Sequence, residues 1–167
     1  MGLDMYLSAS VTVDKLNWAK VKKQQPPSYE NPPEDYVYSK FKDIVKRAGL
    51  ESVHTDVYPA RVTVTCAYWR KANQIHGWFV NKIQEGADDC REYSVSVSSL
   101  RELLDLVSEA LDKKDATLIP PVEGFFFGGT EVDEGYWQDL EDTQEQLNRI
   151  LAIPNIDRLQ FTYQSSW

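Results

Sequence analysis

Apolar and polar positions alternate strictly at the start of the chain. Leu3, Met5, Leu7, Ala9, Val11 and Val13 fall in one phase, and Asp4, Tyr6, Ser8, Ser10 and Thr12 in the other. A period of two puts successive side chains on opposite faces, so this segment predicts a long strand with one face buried. The same alternation returns at Val62, Val64, Cys66 and Tyr68, at Tyr93, Val95 and Val97, and at Leu159, Phe161 and Tyr163. Strands buried on both faces would read as unbroken apolar runs, so the pattern favours an antiparallel sheet with one face covered. Helical spacing is clearest at Leu100, Leu103, Leu104, Val107 and Leu111, where Ser99 and Glu102 resemble a capping box. Ala72, Ile75, Phe79 and Ile83 mark a second helix. Tyr136, Leu140, Leu147, Ile150 and Leu151 mark a third, stopped by Pro154, and Tyr38 to Ala48 a fourth, ending at Gly49. The order β, α, β, α, β, α, α, β predicts a single α+β domain over residues 1–167, with a mainly antiparallel sheet of four or five strands and three or four helices packed mostly on one face.

Pro26, Pro27, Pro32 and Pro33 forbid ladder hydrogen bonds between Gln24 and Tyr36, which makes residues 24–36 a proline-rich surface loop. The polar phase of the strands is rich in hydroxyls and amides (Tyr6, Ser8, Ser10, Thr12, Thr63, Thr65, Ser94, Ser96, Gln160, Thr162) and poor in charge. A plainly solvated face carries more Lys and Glu, so the proline-rich loop is expected to cover it.

Composition adds bounds. The 167 residues are 42% hydrophobic, enough for a core of their own. No run approaches the roughly 18 apolar residues of a membrane span, and the N-terminus lacks a basic-then-apolar leader, so the expectation is a soluble protein of the cytoplasm with no membrane partner. Cys66 and Cys90 are too few for a disulfide scaffold and wrongly spaced for a zinc ribbon. Charge is uneven: residues 1–83 hold 12 Lys/Arg against 8 Asp/Glu, and residues 84–167 hold 6 against 18, for a net of −8. Counterion release rewards basic surfaces, so direct nucleic-acid binding is disfavoured, whereas an acidic protein that imitates nucleic acid fits.

Two groups of residues could carry function. Trp69, Arg70, Lys71, Asn73, His76 and Trp78 crowd a strand-to-helix junction. There a flat ligand could stack on Trp69 or Trp78 while Arg70 or Lys71 holds an anionic group by the helix N-terminus. The alternative is that the tryptophans anchor the core and His76 is structural. The second group is acidic. Between Glu123 and Glu145 lie eight carboxylates and no cation, among them Glu131, Asp133, Glu134, Asp139, Glu141 and Asp142. Such a helix face is either simply solvated or meets a basic partner. Trp167 is either an anchor for a partner or packs back on the fold. Asp88 and Asp89 lack the alternating spacing of a calcium loop and read as an Asx turn. The segment Gly124 to Thr130 is glycine-rich but lacks the Gly-Lys-Ser/Thr ending of a Walker loop, and carboxylates follow it. No nucleophilic triad, hydrolase elbow, metal-ligand spacing or dinucleotide fingerprint is present, so neither a catalytic set nor a metal or cofactor is expected.

Five blocks, GLDMYL at Gly2–Leu7, YWRKANQIHGWFV at Tyr68–Val80, DDCREYSVS at Asp88–Ser96, GFFFGGTEVDEGYWQDLEDT at Gly124–Thr143 and YQSSW at Tyr163–Trp167, resemble a family of small proteins encoded by bacteriophages and prophages. Val132 departs from the tyrosine found at that place in the family. Members are sometimes called phosphoglycerate kinases, but that enzyme is a far larger two-domain protein and this chain has no nucleotide cradle. The resemblance implies an accessory protein acting in the infected cell, one that binds a host or anti-phage defence protein as an inhibitor, in its sharpest form by imitating nucleic acid. It supplies no established site residues. The alternative is a small-molecule or nucleotide-binding protein, a sponge for a signalling nucleotide or a small enzyme, using the Trp69–His76 region. Neither reading fixes the oligomeric state.

Overall fold

The computed structural model describes residues 2–14, 39–50, 60–124 and 127–167. The proline-rich loop expected at 24–36, and with it the proposed cover of the sheet, lies outside the described residues. The elements follow the expected order: β1 (Asp4–Val13), α1 (Ser39–Arg47), β2 (Ala60–Arg70), α2 (Asn73–Lys82), β3 (Tyr93–Val95), α3 (Val97–Lys113), α4 (Glu134–Leu151), a 3-10 turn at Ile156–Arg158 and β4 (Gln160–Ser166). The four strands form one antiparallel sheet in the order β2-β1-β4-β3, and β3 pairs with β4 through Tyr93↔Tyr163 and Val95↔Phe161. The Lys71 amide donates to Leu3 O at 2.8 Å, where the end of β2 meets the start of β1.

The chain divides into two compact units, residues 1–9 with 63–167, and residues 10–62. The second contains the distal portions of β1 and β2 together with α1, whose Phe41 is buried. The first contains the main core. Leu3, Met5 and Leu7 of β1, Ala67 and Trp69 of β2, Val95 of β3 and Phe161 and Tyr163 of β4 cluster with Ile75 and Phe79 of α2, Leu100, Leu103 and Val107 of α3 and Leu140, Leu147 and Ile150 of α4. Three helices and the inward strand positions thus share one core, the α+β arrangement that the alternation predicts. The Tyr163 ring stacks on Phe79 at 3.9 Å between centroids and 6° between planes.

Three sequence expectations change in detail. The buried phase of β2 is the opposite one at its C-terminal end: Ala67 and Trp69 point into the core, while Val64 and Tyr68 are exposed. Tyr68 lies beside Tyr6 on the other face, rings 5.4 Å apart, and its hydroxyl donates to Asp4. Helix α3 is capped by Ser96, whose Oγ accepts from Ser99 N at 3.0 Å, rather than by Ser99. Val97 therefore opens the helix instead of ending β3. Helix α4 is capped by Asp133, whose Oδ1 accepts from Tyr136 N at 3.0 Å.

Candidate functional site

Helix α2 is unusual in being buried nearly all round at its start. Asn73, Gln74, Ile75, His76 and Gly77 are all buried. Apolar packing explains Ile75; the polar residues need partners, since an unpaired buried polar group costs about 1–3 kcal/mol. Asn73 has three. Its Nδ2 donates to Gly129 O at 2.7 Å and to Phe127 O at 3.3 Å, and its Oδ1 accepts from Val122 N at 3.1 Å. Asn73 is thus the clamp that holds Val122, Phe127 and Gly129 against α2. Gly77 has the same neighbour from the other side: a Cβ there would lie 2.7 Å from Val122 Cγ1.

His76 is sealed from solvent. Its Nδ1 is hydrogen-bonded to Tyr163 Oη at 2.8 Å and its Nε2 to Asp88 Oδ2 at 3.0 Å, and its ring meets Phe127 edge-on at 4.8 Å. Burial raises the Tyr163 phenol well above its ordinary range, with the Asp88 charge adding to it. Asp88 also accepts the indole N–H of Trp167 at 3.1 Å, and Trp167 packs edge-on to Phe127 at 6.4 Å. Trp167 accordingly packs back on the fold, yet it remains 42% exposed. Asp89 forms the expected turn, accepting from Arg91 N at 3.1 Å and from Tyr93 Oη at 3.0 Å. No group of three or more metal-ligating side chains occurs among the described residues.

Trp69 belongs to the core. It is 4% exposed, 5.9 Å from the Phe79 ring, and its Nε1 donates to Thr143 Oγ1 at 2.9 Å, which in turn donates to Asp139 O at 2.6 Å. Trp69 and His76 thus present no surface to a ligand, whereas Trp78 borders a hollow.

That leaves Arg70, Lys71 and the carboxylates, and the fold brings them together. A cleft of about 340 Å³ is lined by Arg70, Lys71, Asn73 and Gln74 from the strand-to-helix junction and by Gly128, Gly129, Glu131, Asp133, Tyr136 and Asp139 from the later segment. Three members of each residue group read separately from the sequence, some sixty positions apart, border one hollow: Arg70, Lys71 and Asn73, and Glu131, Asp133 and Asp139. Lys71 is set there by an uncommon backbone: its φ is +61°, and its side-chain stem runs between Gly2 and Gly128. Added Cβ atoms would approach it to 3.2 Å at Gly2 and 3.6 Å at Gly128. Gln74 Nε2 donates to Asp139 Oδ2 at 3.2 Å across the cleft floor. Desolvation raises the Asp139 carboxyl above its ordinary value, the Gln74 bond opposes the rise, and the charges of Asp142 and Asp133 add to it. Tyr136, its hydroxyl donating to Ile119 O at 2.9 Å, is pushed up to about 12 by burial and by the Asp115 charge. A second hollow of about 290 Å³ lies on the other side of Gln74, walled by Gly77, Trp78, Leu118, Ile119, Pro120 and Val122.

Glu134, Glu141 and Asp142 do not line the cleft; they lie on the exposed side of α4 with Glu145. Gln74 and Tyr136, which complete the cleft, carry no motif. For Gln74 the signal is the mixed polarity of α2, whose polar residues interrupt the apolar ones too often for a helix with one wet face; Tyr136 reads only as an apolar position of the α4 stripe.

Comparison with protein-family models, with curated proteins and with solved structures finds no match.

Proposed function

We propose that the protein is a phage-type accessory protein that works by binding, with a host or anti-phage defence protein as its partner and the carboxylate side of α4 as its docking face. The observation that carries the reading is the state of those carboxylates. Glu134, Glu141, Asp142 and Glu145 share the exposed side of the helix, and among the described residues the one ion pair on that face is Glu145 with Arg149 at 3.9 Å. Uncompensated like charges on one helix side repel one another, and a basic partner surface relieves that repulsion and speeds encounter. In its sharpest form the face imitates the phosphates of a nucleic acid and occupies a basic groove. The test is retention of a partner from bacterial host lysate at low and at high salt, by the wild type and by a Glu134→Gln, Glu141→Gln, Asp142→Asn variant. A partner held at low salt, weakened by added salt and lost with the variant supports the reading. No specific partner at either salt concentration counts against it.

A second reading, a small-molecule-binding protein, is favoured by a separate observation: the cleft between Arg70 and Asp139 holds charges of both signs beside the buried amides of Asn73 and Gln74. Its volume falls within the range of about 300–1,000 Å³ usual for small-ligand sites.

A further inference from the structure

The cleft carries charge of both signs. Arg70 and Lys71 border it together with Glu131, Asp133 and Asp139, yet among the described residues none of the five takes part in an ion pair within 4.0 Å. Opposite charges that border the same hollow without meeting leave a gap that a ligand can bridge. Two of the carboxylates are held in place: Gln74, itself 3% exposed, fixes Asp139 Oδ2, and Asp133 is fixed by capping α4. Lys71 is held by its left-handed backbone and the packing of its stem between two glycines.

We propose that this cleft binds a small zwitterion, an unblocked amino acid or dipeptide, with its carboxylate toward Arg70 and Lys71 and its ammonium toward Asp139. The inference rests on the reading of the cleft as a ligand site and names the ligand class. Complementarity excludes the main competitors. A nucleotide satisfies the cations but brings no positive charge to three carboxylates, which repel its phosphates. A polyamine satisfies the carboxylates and is repelled by Arg70 and Lys71. A zwitterion meets both signs of charge, and its ammonium offsets the desolvation and like-charge repulsion that burden Asp139.

Calorimetric titration of the full chain with a panel of free dipeptides, their N-acetylated and C-amidated forms, GMP and spermidine tests this. A free dipeptide is expected to bind, and blocking either end to weaken binding roughly tenfold or more, the scale of one charge-assisted hydrogen bond. Asp139→Asn, which keeps an acceptor for Gln74, should remove the penalty of N-acetylation and leave that of C-amidation. Arg70→Gln with Lys71→Gln, which keeps most of the packed stem, should do the reverse. Blocked and free dipeptides binding equally well overturns the proposal. Binding of GMP or spermidine without any dipeptide overturns the zwitterion while leaving the cleft a ligand site, and no binding by any probe removes both.

Discussion

Replacing Gly77 by alanine in the middle of α2 should destabilise the protein, against the helix-propensity rule. In an ordinary helix interior the exchange gains about 1 kcal/mol, because glycine has more backbone freedom to lose. Here the new Cβ would lie 2.7 Å from Val122 Cγ1 and 3.2 Å from Cγ2, where carbon atoms rest at about 3.5–4.0 Å. Val122 has little room to retreat, since its amide is bound to Asn73 Oδ1 at 3.1 Å. Overpacking of this kind costs about 1–3 kcal/mol, so the net effect should be a loss of about 1 kcal/mol. Urea unfolding should show a lower midpoint at unchanged slope, and the melting temperature should fall by roughly 2–4 °C. The decisive arm is the double variant. With Val122→Ala the clash is gone, and Gly77→Ala should then stabilise relative to Val122→Ala alone, a change of sign that measures the coupling. If Gly77→Ala stabilises equally in both backgrounds, the close approach of α2 to residue 122 is not there.

Three further outcomes follow from the same contacts. Tyr163→Phe keeps the ring stacked on Phe79 but deprives buried His76 Nδ1 of its partner, and should cost about 1–3 kcal/mol in chemical denaturation; a neutral change would refute the His76–Tyr163 bond. Asn73→Ala removes three hydrogen bonds to Val122, Phe127 and Gly129, and should speed amide exchange at Val122 and Phe127 more than in α3; equal effects in the two regions would contradict the clamp. Asp139→Asn bears on pH. A carboxyl whose folded pKa is raised binds protons more tightly when folded, so its ionisation works against folding above that pKa. The asparagine variant should therefore be more stable than the wild type at pH 7, and its advantage should shrink as pH falls through the raised value toward the ordinary 3.8; an advantage independent of pH would refute the assignment.

Sheet and helices were legible because most of their signals are local. Leu3, Met5 and Leu7 alternate with polar neighbours, and the α3 and α4 stripes repeat at helical spacing, so each element could be read without knowing what it packs against. The phase of β2 could not. Val62, Val64, Cys66 and Tyr68 form one apolar set and Ala67 and Trp69 another, and the choice falls to the core, where the indole of Trp69 reaches Thr143 and Phe79. The cap of α3 is ambiguous in the sequence because Ser96 and Ser99 both precede a suitable run, and the fold uses Ser96. The cleft was half legible. Its cations and carboxylates are visible as residue types, but their convergence depends on Asn73 binding the backbone at Val122, Phe127 and Gly129, contacts spanning about fifty positions that leave no period in the sequence.

The lysine held between two glycines has a consequence for descent. Gly2, Lys71 and Gly128 come from three distant parts of the chain, yet a Cβ at Gly2 would crowd Lys71 Cε at 3.2 Å, one at Gly128 would touch the Lys71 stem at 3.6 Å, and both Lys71 and Gly128 adopt backbone angles that most residues avoid, φ +61° and +92°. A mutation at one of these positions is therefore judged by natural selection against the other two. Lineages should drift freely on the exposed side of α4, where charge matters more than shape, while positions 2, 71 and 128 are inherited together or replaced together.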